Sequence, residues 1–152
     1  MVRNEPFSQQ RSLMAYSAGG VCYRFQNGQL QVVLIATQGT SRWGLPKGQV
    51  GEGEAPAEAA RRELSEETGI EGTVIQPLET IEYWFRSGSL RVHKFVDFFL
   101  LKYSGGSLAP QLTEVDDARW FGIDEAIRLV SFPRERGVLE KVLQLWQSRQ
   151  LS

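Results

Sequence analysis

The chain has 152 residues, of which 41% are hydrophobic, enough for one globular domain whose core needs no disulfide to hold it. Lysine and arginine total 17 against 18 acidic residues, and this net charge of −1 excludes a general basic surface for nucleic acid or membranes. The single cysteine excludes an internal disulfide, and together with the single histidine it excludes metal sites that need several such ligands, so a bound metal must be a hard cation held by oxygen.

The first predicted elements are a leader and a β-hairpin. Residues 1–12 are polar and are predicted to form a flexible leader, followed by a single domain over residues 13–152. Residues 16–25 and 30–36 are rich in strand-forming side chains, and Asn27-Gly28 between them is a turn signal. Residues 37–53 contain five glycines and Pro46, which predicts a long, functional loop.

A helix and a second hairpin follow. Residues 54–68 are strong helix formers, with Pro56 in the first turn and Gly69 where a left-handed cap belongs. Residues 73–85 and 90–103 are predicted strands around Ser87-Gly88-Ser89. After a connection over 104–111 come a strand at 115–121, a helix at 123–130 that starts near Asp124, and a helix at 134–150 with an apolar stripe. The order of elements predicts an α+β fold with helices on both faces of a mixed sheet.

Three carboxylates share one face of the first predicted helix. Glu63, Glu66 and Glu67 fall within an arc of roughly 100°, and their mutual repulsion favours a bound Mg²⁺ or a similar hard cation. A solvated helix face is the simpler interpretation, with Arg62 paired to Glu58 and Glu66. The preceding turn, Leu45-Pro46-Lys47-Gly48, adds a lysine and exposed backbone groups that suit a phosphate chain.

Residues 48–70 together carry a longer pattern. Five residues separate Gly48 from Glu54, and seven more lead to Arg62-Glu63-Leu64, which Glu66-Glu67 and Gly69-Ile70 follow. The pattern resembles the Nudix box at every fixed position, and the similarity covers about residues 14–148. The resemblance implies a Nudix αβα sandwich with a mixed β-sheet between helices. It also implies metal-dependent hydrolysis of a nucleoside diphosphate linked to a group X, with water attacking phosphorus.

The resemblance also implies roles for the residues of the box. Glu63, Glu66 and Glu67 would be metal ligands together with the Gly48 carbonyl, and Glu67 or Glu66 would act as the base. The cation would be Mg²⁺ or Mn²⁺, with more than one ion during turnover. Two further residues would assist the helix glutamates, Arg62 by orienting one of them and Glu54 as an outer carboxylate.

Three further segments are Trp43-Gly-Leu-Pro-Lys-Gly48, Ile81-Glu-Tyr-Trp-Phe85, and Glu114 with Asp117-Ala-Arg-Trp-Phe121. Together they look like the corresponding segments of the small bacterial asymmetric diadenosine tetraphosphate hydrolases, which release ATP and AMP. That resemblance implies that Lys47 meets phosphate, that Tyr83 lies by an adenine, and that Glu114 reaches the metals. Tyr83 is equally compatible with a core position, and Glu114 with a solvated loop. Lys94 is preferred over His93 as a phosphate ligand because of its charge, since consecutive strand residues point to opposite faces; the role of His93 stays open. Trp43 and Trp120 are interpreted as packing residues.

Other substrates and one non-enzymatic function stay open. A nucleoside triphosphate pyrophosphatase that clears oxidised guanine nucleotides would use the same metal site. A diphosphoinositol phosphate would require more lysine and arginine around the pocket than the sequence locates. A regulatory module that binds nucleotide or RNA is disfavoured by the intact glutamates and by the scattered basic residues. We expect a cytoplasmic monomer or homodimer with a nucleotide substrate, no membrane contact and no strong nucleic-acid signal.

Overall fold

A computed structural model describes residues 12–111 and 114–152, so the predicted leader lies outside the described residues except for Ser12. Within these residues, seven strands form one sheet and three helices pack on it. The strands are β1 (Ser12–Gln26), β2 (Gln29–Thr37), β3 (Arg42–Gly44), β4 (Lys47–Gln49), β5 (Ile70–Ser87), β6 (Leu90–Gly106) and β7 (Asp117–Gly122). The helices are α1 (Pro56–Thr68), α2 (Ile123–Leu129) and α3 (Pro133–Gln147). None of these helices has the length and apolar character needed to cross a bilayer.

The sheet is mixed, as predicted. Its main path runs β3-β2-β1-β6-β5, with β4 on β1 and β7 on β2. β1 runs parallel to β6 over twelve residue pairs, whereas the other pairings are antiparallel. Because β4 pairs with β1 only between Ser17 and Gly19, the loop that carries β4 is fixed beside the start of β1.

Helices cover both faces of this sheet. Leu64 of α1 packs with Cys22 and Leu101 in one buried cluster. Their chain neighbours Val21 and Leu100 belong to the larger cluster, together with buried side chains of α3. Since successive strand residues point to opposite faces, α1 lies on one face and α3 on the other. The predicted α+β sandwich is therefore confirmed, and the predicted apolar stripe of α3 lies in the larger core: Val138, Leu139, Val142, Leu143 and Trp146.

The predicted turn between β1 and β2 and the predicted C-terminal cap of α1 are both confirmed. Asn27 and Gly28 have φ angles of 53° and 78°, which the tight turn between β1 and β2 requires. Gly69 ends α1 with a φ of 84° and donates its N–H to the Ser65 carbonyl at 2.8 Å. Element ends were predicted less well, because hairpin pairing extends β5 and β6 beyond the residues with strong β propensity. α2 begins at Ile123, and α3 begins at Pro133 and ends at Gln147.

The structured loop or pair of loops predicted over residues 37–53 contains two short strands that the sequence did not predict. β3 pairs with the end of β2, and β4 pairs with β1. Each of these strands has three residues, too few for a side-chain alternation that a sequence pattern would reveal. Val115, predicted to start a strand, instead precedes β7 and is buried against Ile35 and Ala118.

Candidate functional site

A cleft of about 450 Å³ opens beside β4, where the edge of β1, the helix α1 and the loop before β7 meet. A second pocket of about 250 Å³ adjoins it, and Lys47 lines both. The cleft brings together several residues singled out in the sequence: Lys47, Gly48, Glu67, Lys94 and Glu114. The second pocket, called the side pocket below, is lined by Lys47, Ile81, Tyr83, Phe132, Pro133, Arg134 and Glu135.

Two glycines allow the loop to approach buried carboxylates. A Cβ on Gly48 would overlap the carboxyl group of Glu63, so this side chain lies directly against the backbone of β4. A Cβ on Gly44 would lie 3.0 Å from Glu135 Oε1 and 3.1 Å from the Phe132 ring. Gly44 and Gly48 therefore have a steric role. The chain at these positions passes so close to the side chains on either side that a Cβ would force them to shift.

Glu67 is the most perturbed carboxylate of the cleft. Its side chain is on the buried face of α1, with 7% of the residue exposed, and it accepts the Lys47 backbone N–H at 3.1 Å. Burial, followed by the negative charge of Glu63, raises the pKa of Glu67 to about 8, and Glu114 adds to the effect. A carboxyl group with this pKa can exchange a proton near neutral pH.

Glu63 and Glu66 are in different environments. Glu63 is 8% exposed, and burial raises its pKa against the opposing effect of Arg62, whose Nη1 lies 2.9 Å away. The Glu66 side chain is 49% exposed and its carboxylate lies 3.2 Å from the same Nη1. Glu67 and Glu114 thus line the cleft, and Glu63 lies against Gly48 of its wall, whereas Glu66 is exposed. Among residues 12–111 and 114–152, no three His, Cys, Asp or Glu side chains are close enough to form a metal site without rearrangement.

Arg62 connects the box residues. Its Nε and Nη2 donate to the two oxygens of Glu54 at 2.7 and 3.0 Å, and its Nη2 also donates to the Gln49 carbonyl at 3.0 Å. The hydrogen bonds from Arg62 to Glu54, followed by the hydrogen bond from the Gly51 N–H, lower the pKa of Glu54 to about 2. The simpler pairing of Arg62 with Glu58 is not formed, because Glu58 pairs with Arg61 at 3.0 Å. Arg62 and Glu54 therefore fasten α1 to the loop before it.

The carboxylates of the cleft fit a hard divalent cation. Buried carboxylates usually collect two or three hydrogen-bond donors, yet Glu67 has one within the described part of the chain, the Lys47 N–H. The negative charge of Glu114 disfavours ionisation of both Glu63 and Glu67, and the charge of Glu63 adds to the effect on Glu67. Carboxylate oxygens next to exposed backbone are the ligands that Mg²⁺ and Mn²⁺ prefer.

Sequence reasoning missed Glu135 and Phe132. Glu135 is 2% exposed and lies 2.9 Å from Lys47 Nζ, so the predicted phosphate lysine has a carboxylate partner. Phe132 lies 5.4 Å from the same Nζ. Acidic residues are common in the first turn of a helix, so no local signal distinguished Glu135. Lys94, the candidate phosphate ligand of β6, lines the cleft, where burial and then the charge of Lys47 lower its pKa.

The predicted alternation of aromatic residues on β5 and β6 is confirmed. Tyr83 lines the side pocket and packs on the larger core. Trp84 is 50% exposed and stacks on His93 at 4.1 Å between ring centroids, and His93 Nε2 lies 2.7 Å from a Glu82 oxygen. His93 is therefore part of a surface cluster on the face opposite Lys94. The two tryptophans interpreted as packing residues make aromatic contacts, Trp43 with Phe121 and Trp120 with Tyr103.

In the metal-free protein, Glu67 is expected to make stability fall as the pH rises. Between about pH 4.5 and pH 8 the folded protein holds a proton that the unfolded chain has released, so the free energy of unfolding decreases with increasing pH. Thermal melts in EDTA from about pH 5 to pH 8.5 should show the Tm of the wild type falling relative to that of Glu67→Gln. Parallel pH profiles of the two proteins would contradict the buried, protonated state of Glu67.

Comparisons with known proteins agree with this geometry. The profile of the family described as NUDIX domain matches residues 15–143. A Mycobacterium tuberculosis protein named as a mutator protein, MutT4, is 34% identical over 139 residues, which are 88% of this chain and 56% of the relative. The chain thus spans about half the length of that relative. The asymmetrical bis(5′-nucleosyl)-tetraphosphatase of Rattus norvegicus is 32% identical over 111 residues, covering 72% of this chain and 76% of the relative.

The fold has a close counterpart among solved structures. The crystal structure of a C. elegans Ap4A hydrolase binary complex superposes with a TM-score of 0.69 and 23% sequence identity. The match covers 88% of this chain and 98% of that chain. This likeness confirms the predicted arrangement of a mixed sheet between helices.

Proposed function

This chain belongs to the Nudix family, and we propose that it hydrolyses a nucleotide-linked phosphoric anhydride, with diadenosine tetraphosphate as the preferred substrate. The products would be ATP and AMP, formed by attack of water on phosphorus. One observation carries the proposal: a cleft lined by the buried Glu67 and by Glu114 adjoins an aromatic pocket, and Lys47 lines both. A polyphosphate bound along the cleft can therefore place a base in the side pocket.

The carboxylates of α1 would hold the metal. Glu63, Glu67 and the Gly48 carbonyl would contribute ligands, with Glu114 from the opposite wall and Glu66 after release from Arg62. Bound Mg²⁺ or Mn²⁺, in more than one copy during turnover, would neutralise phosphate charge and make a water molecule more acidic. Glu67 is a better candidate than Glu66 for the base, because it lines the cleft and is buried, whereas Glu66 is exposed. The ion pair of Arg62 and Glu54 would hold α1 against the loop that precedes it.

Two lysines would bind the polyphosphate. Lys47 and Lys94 both line the cleft, and their positive charges lie close enough that the charge of Lys47 lowers the pKa of Lys94. A chain of phosphate groups offsets this repulsion, since each ammonium group can then donate to phosphate oxygens.

The side pocket would take one base of the substrate. Tyr83 and Phe132 are aromatic walls, and the guanidinium carbon of Arg134 lies 5.9 Å from the centre of the Tyr83 ring. Concave pockets that combine aromatic walls with placed polar groups are typical of small-molecule sites, and the charged groups of this pocket belong to Lys47, Arg134 and Glu135.

Replacing Tyr83 by leucine is expected to raise the KM for diadenosine tetraphosphate by about tenfold, because the base loses its stacking partner while apolar volume is kept. Hydrolysis of inorganic triphosphate, which has no base, should change little. Trp84→Leu is the matched control, since Trp84 is the next residue on β5 but points to the opposite face. Equal effects of the two substitutions on KM would exclude the side pocket as the base site.

A nucleoside triphosphate pyrophosphatase is the second candidate, favoured by similarity to the mycobacterial protein named as a mutator protein. Mg²⁺-dependent turnover should be compared for diadenosine tetraphosphate, GTP, 8-oxo-GTP, ADP-ribose and a diphosphoinositol phosphate, ranked by kcat/KM. The highest kcat/KM for the dinucleotide, with ATP and AMP as products, would support the proposal. The highest value for 8-oxo-GTP would favour the second candidate, and tight binding without turnover would favour a regulatory module.

A further inference from the structure

Glu135, a buried carboxylate outside the Nudix box, pairs with Lys47, the lysine that lines both the cleft and the side pocket. Glu135 Oε2 lies 2.9 Å from Lys47 Nζ, and Glu135 Oε1 accepts the Leu45 backbone N–H at 2.8 Å. The Phe132 ring lies 5.4 Å from the same ammonium group. The Lys47 side chain is thus held at its charged end by a carboxylate and an aromatic ring.

We propose that Glu135 is a positioning residue that acts through Lys47, fixing its ammonium group where a polyphosphate passes between the two pockets. The inference rests on the proposed function. A lysine ammonium has three N–H donors, and Glu135 takes one of them, which leaves two for phosphate oxygens. The ion pair also restricts the rotamers of Lys47 before phosphate binds, so that less side-chain entropy is lost on binding.

Glu135 is not needed merely to tie α3 to the loop. Trp43 and Ser131 already make that connection, because the Trp43 N–H donates to Ser131 Oγ at 3.1 Å and the Ser131 N–H donates to the Trp43 carbonyl at 2.9 Å. Glu135 acts further along the loop, on Leu45 and Lys47. Since the Lys47 N–H also donates to Glu67, this one residue is fixed at its backbone by α1 and at its side chain by α3.

The test is a double-mutant cycle with Glu135→Gln and Lys47→Met. Glutamine keeps an oxygen for the Leu45 N–H but removes the charge that holds Lys47. Glu135→Gln is expected to raise the KM for diadenosine tetraphosphate about tenfold with a smaller change in kcat. In the Lys47→Met background the same substitution should change kcat/KM by less than about twofold. Glu140→Gln, an exposed glutamate on the same helix, is the matched control and should leave KM unchanged.

A purely structural role would give a different cycle. If Glu135→Gln lowers kcat/KM by the same factor with and without Lys47, the inference is overturned. Should Glu135→Gln fail to fold, Glu135→Asp replaces it in the cycle, because it keeps the charge but withdraws it by one methylene from Lys47. Binding of inorganic triphosphate with Mg²⁺, measured by calorimetry, separates this inference from the proposed function. Weaker binding by the Glu135 variant supports it even where no substrate is hydrolysed, and unchanged binding overturns it.

Discussion

Replacing Glu67 by glutamine is expected to lower kcat by at least about 100-fold while the protein still folds. Glutamine has nearly the same volume and keeps an oxygen for the Lys47 N–H. It lacks the negative charge that would hold a cation, and it cannot accept a proton from the attacking water. Initial rates at saturating diadenosine tetraphosphate and Mg²⁺, with circular dichroism to verify the fold, provide the measurement.

Glu58→Gln is the matched control for this substitution. Glu58 is on the same helix, but it is exposed and pairs with Arg61. Its replacement should change kcat by less than about twofold, because exposed ion pairs contribute little. A Glu67→Gln protein whose kcat stays within about threefold of the wild type would refute the assignment of the reaction to this cleft.

Substituting Gly48 by alanine is expected to reduce kcat/KM by about 100-fold, with little loss of stability. The new methyl group would occupy the position of the Glu63 carboxyl group, which lies at the end of a flexible side chain and can move away. The fold therefore tolerates the change, whereas a displacement of about 1 Å in a catalytic group is enough for a loss of this size. kcat/KM and the thermal midpoint should be measured on the same preparation.

Gly137→Ala is the control for an added methyl group. Gly137 is in α3, and a Cβ at this position would meet no atom within 4 Å. Alanine favours the helix there by about 0.5–1 kcal/mol, so this variant should be slightly more stable and fully active. If Gly48→Ala also retained full activity, the position of Glu63 against β4 would have no catalytic importance.

Features that depend on neighbouring residues could be predicted from the sequence. The turn at Asn27-Gly28 and the cap at Gly69 follow from the positive φ angles that these residues adopt at low cost. The presence of α1 follows from helix propensity over its thirteen residues, although the helix begins at Pro56 and not at residue 54. Helix ends and the three-residue strands β3 and β4 could not be predicted, because pairing partners distant in the chain determine them.

The same division holds for the candidate site. The sequence determined that Glu63, Glu66 and Glu67 lie close together on α1, because helical periodicity fixes the relative directions of residues three and four apart. Only the tertiary structure decided which of them is buried in the cleft, because packing of α1 against the loop excludes water from Glu63 and Glu67 but not from Glu66. Only the tertiary structure also brings Lys47 into contact with Glu135, which is 88 residues away in the chain. Burial determines the pKa of Glu67, and a long-range contact determines the position of the Lys47 side chain. Both depend on how distant segments of the chain pack together.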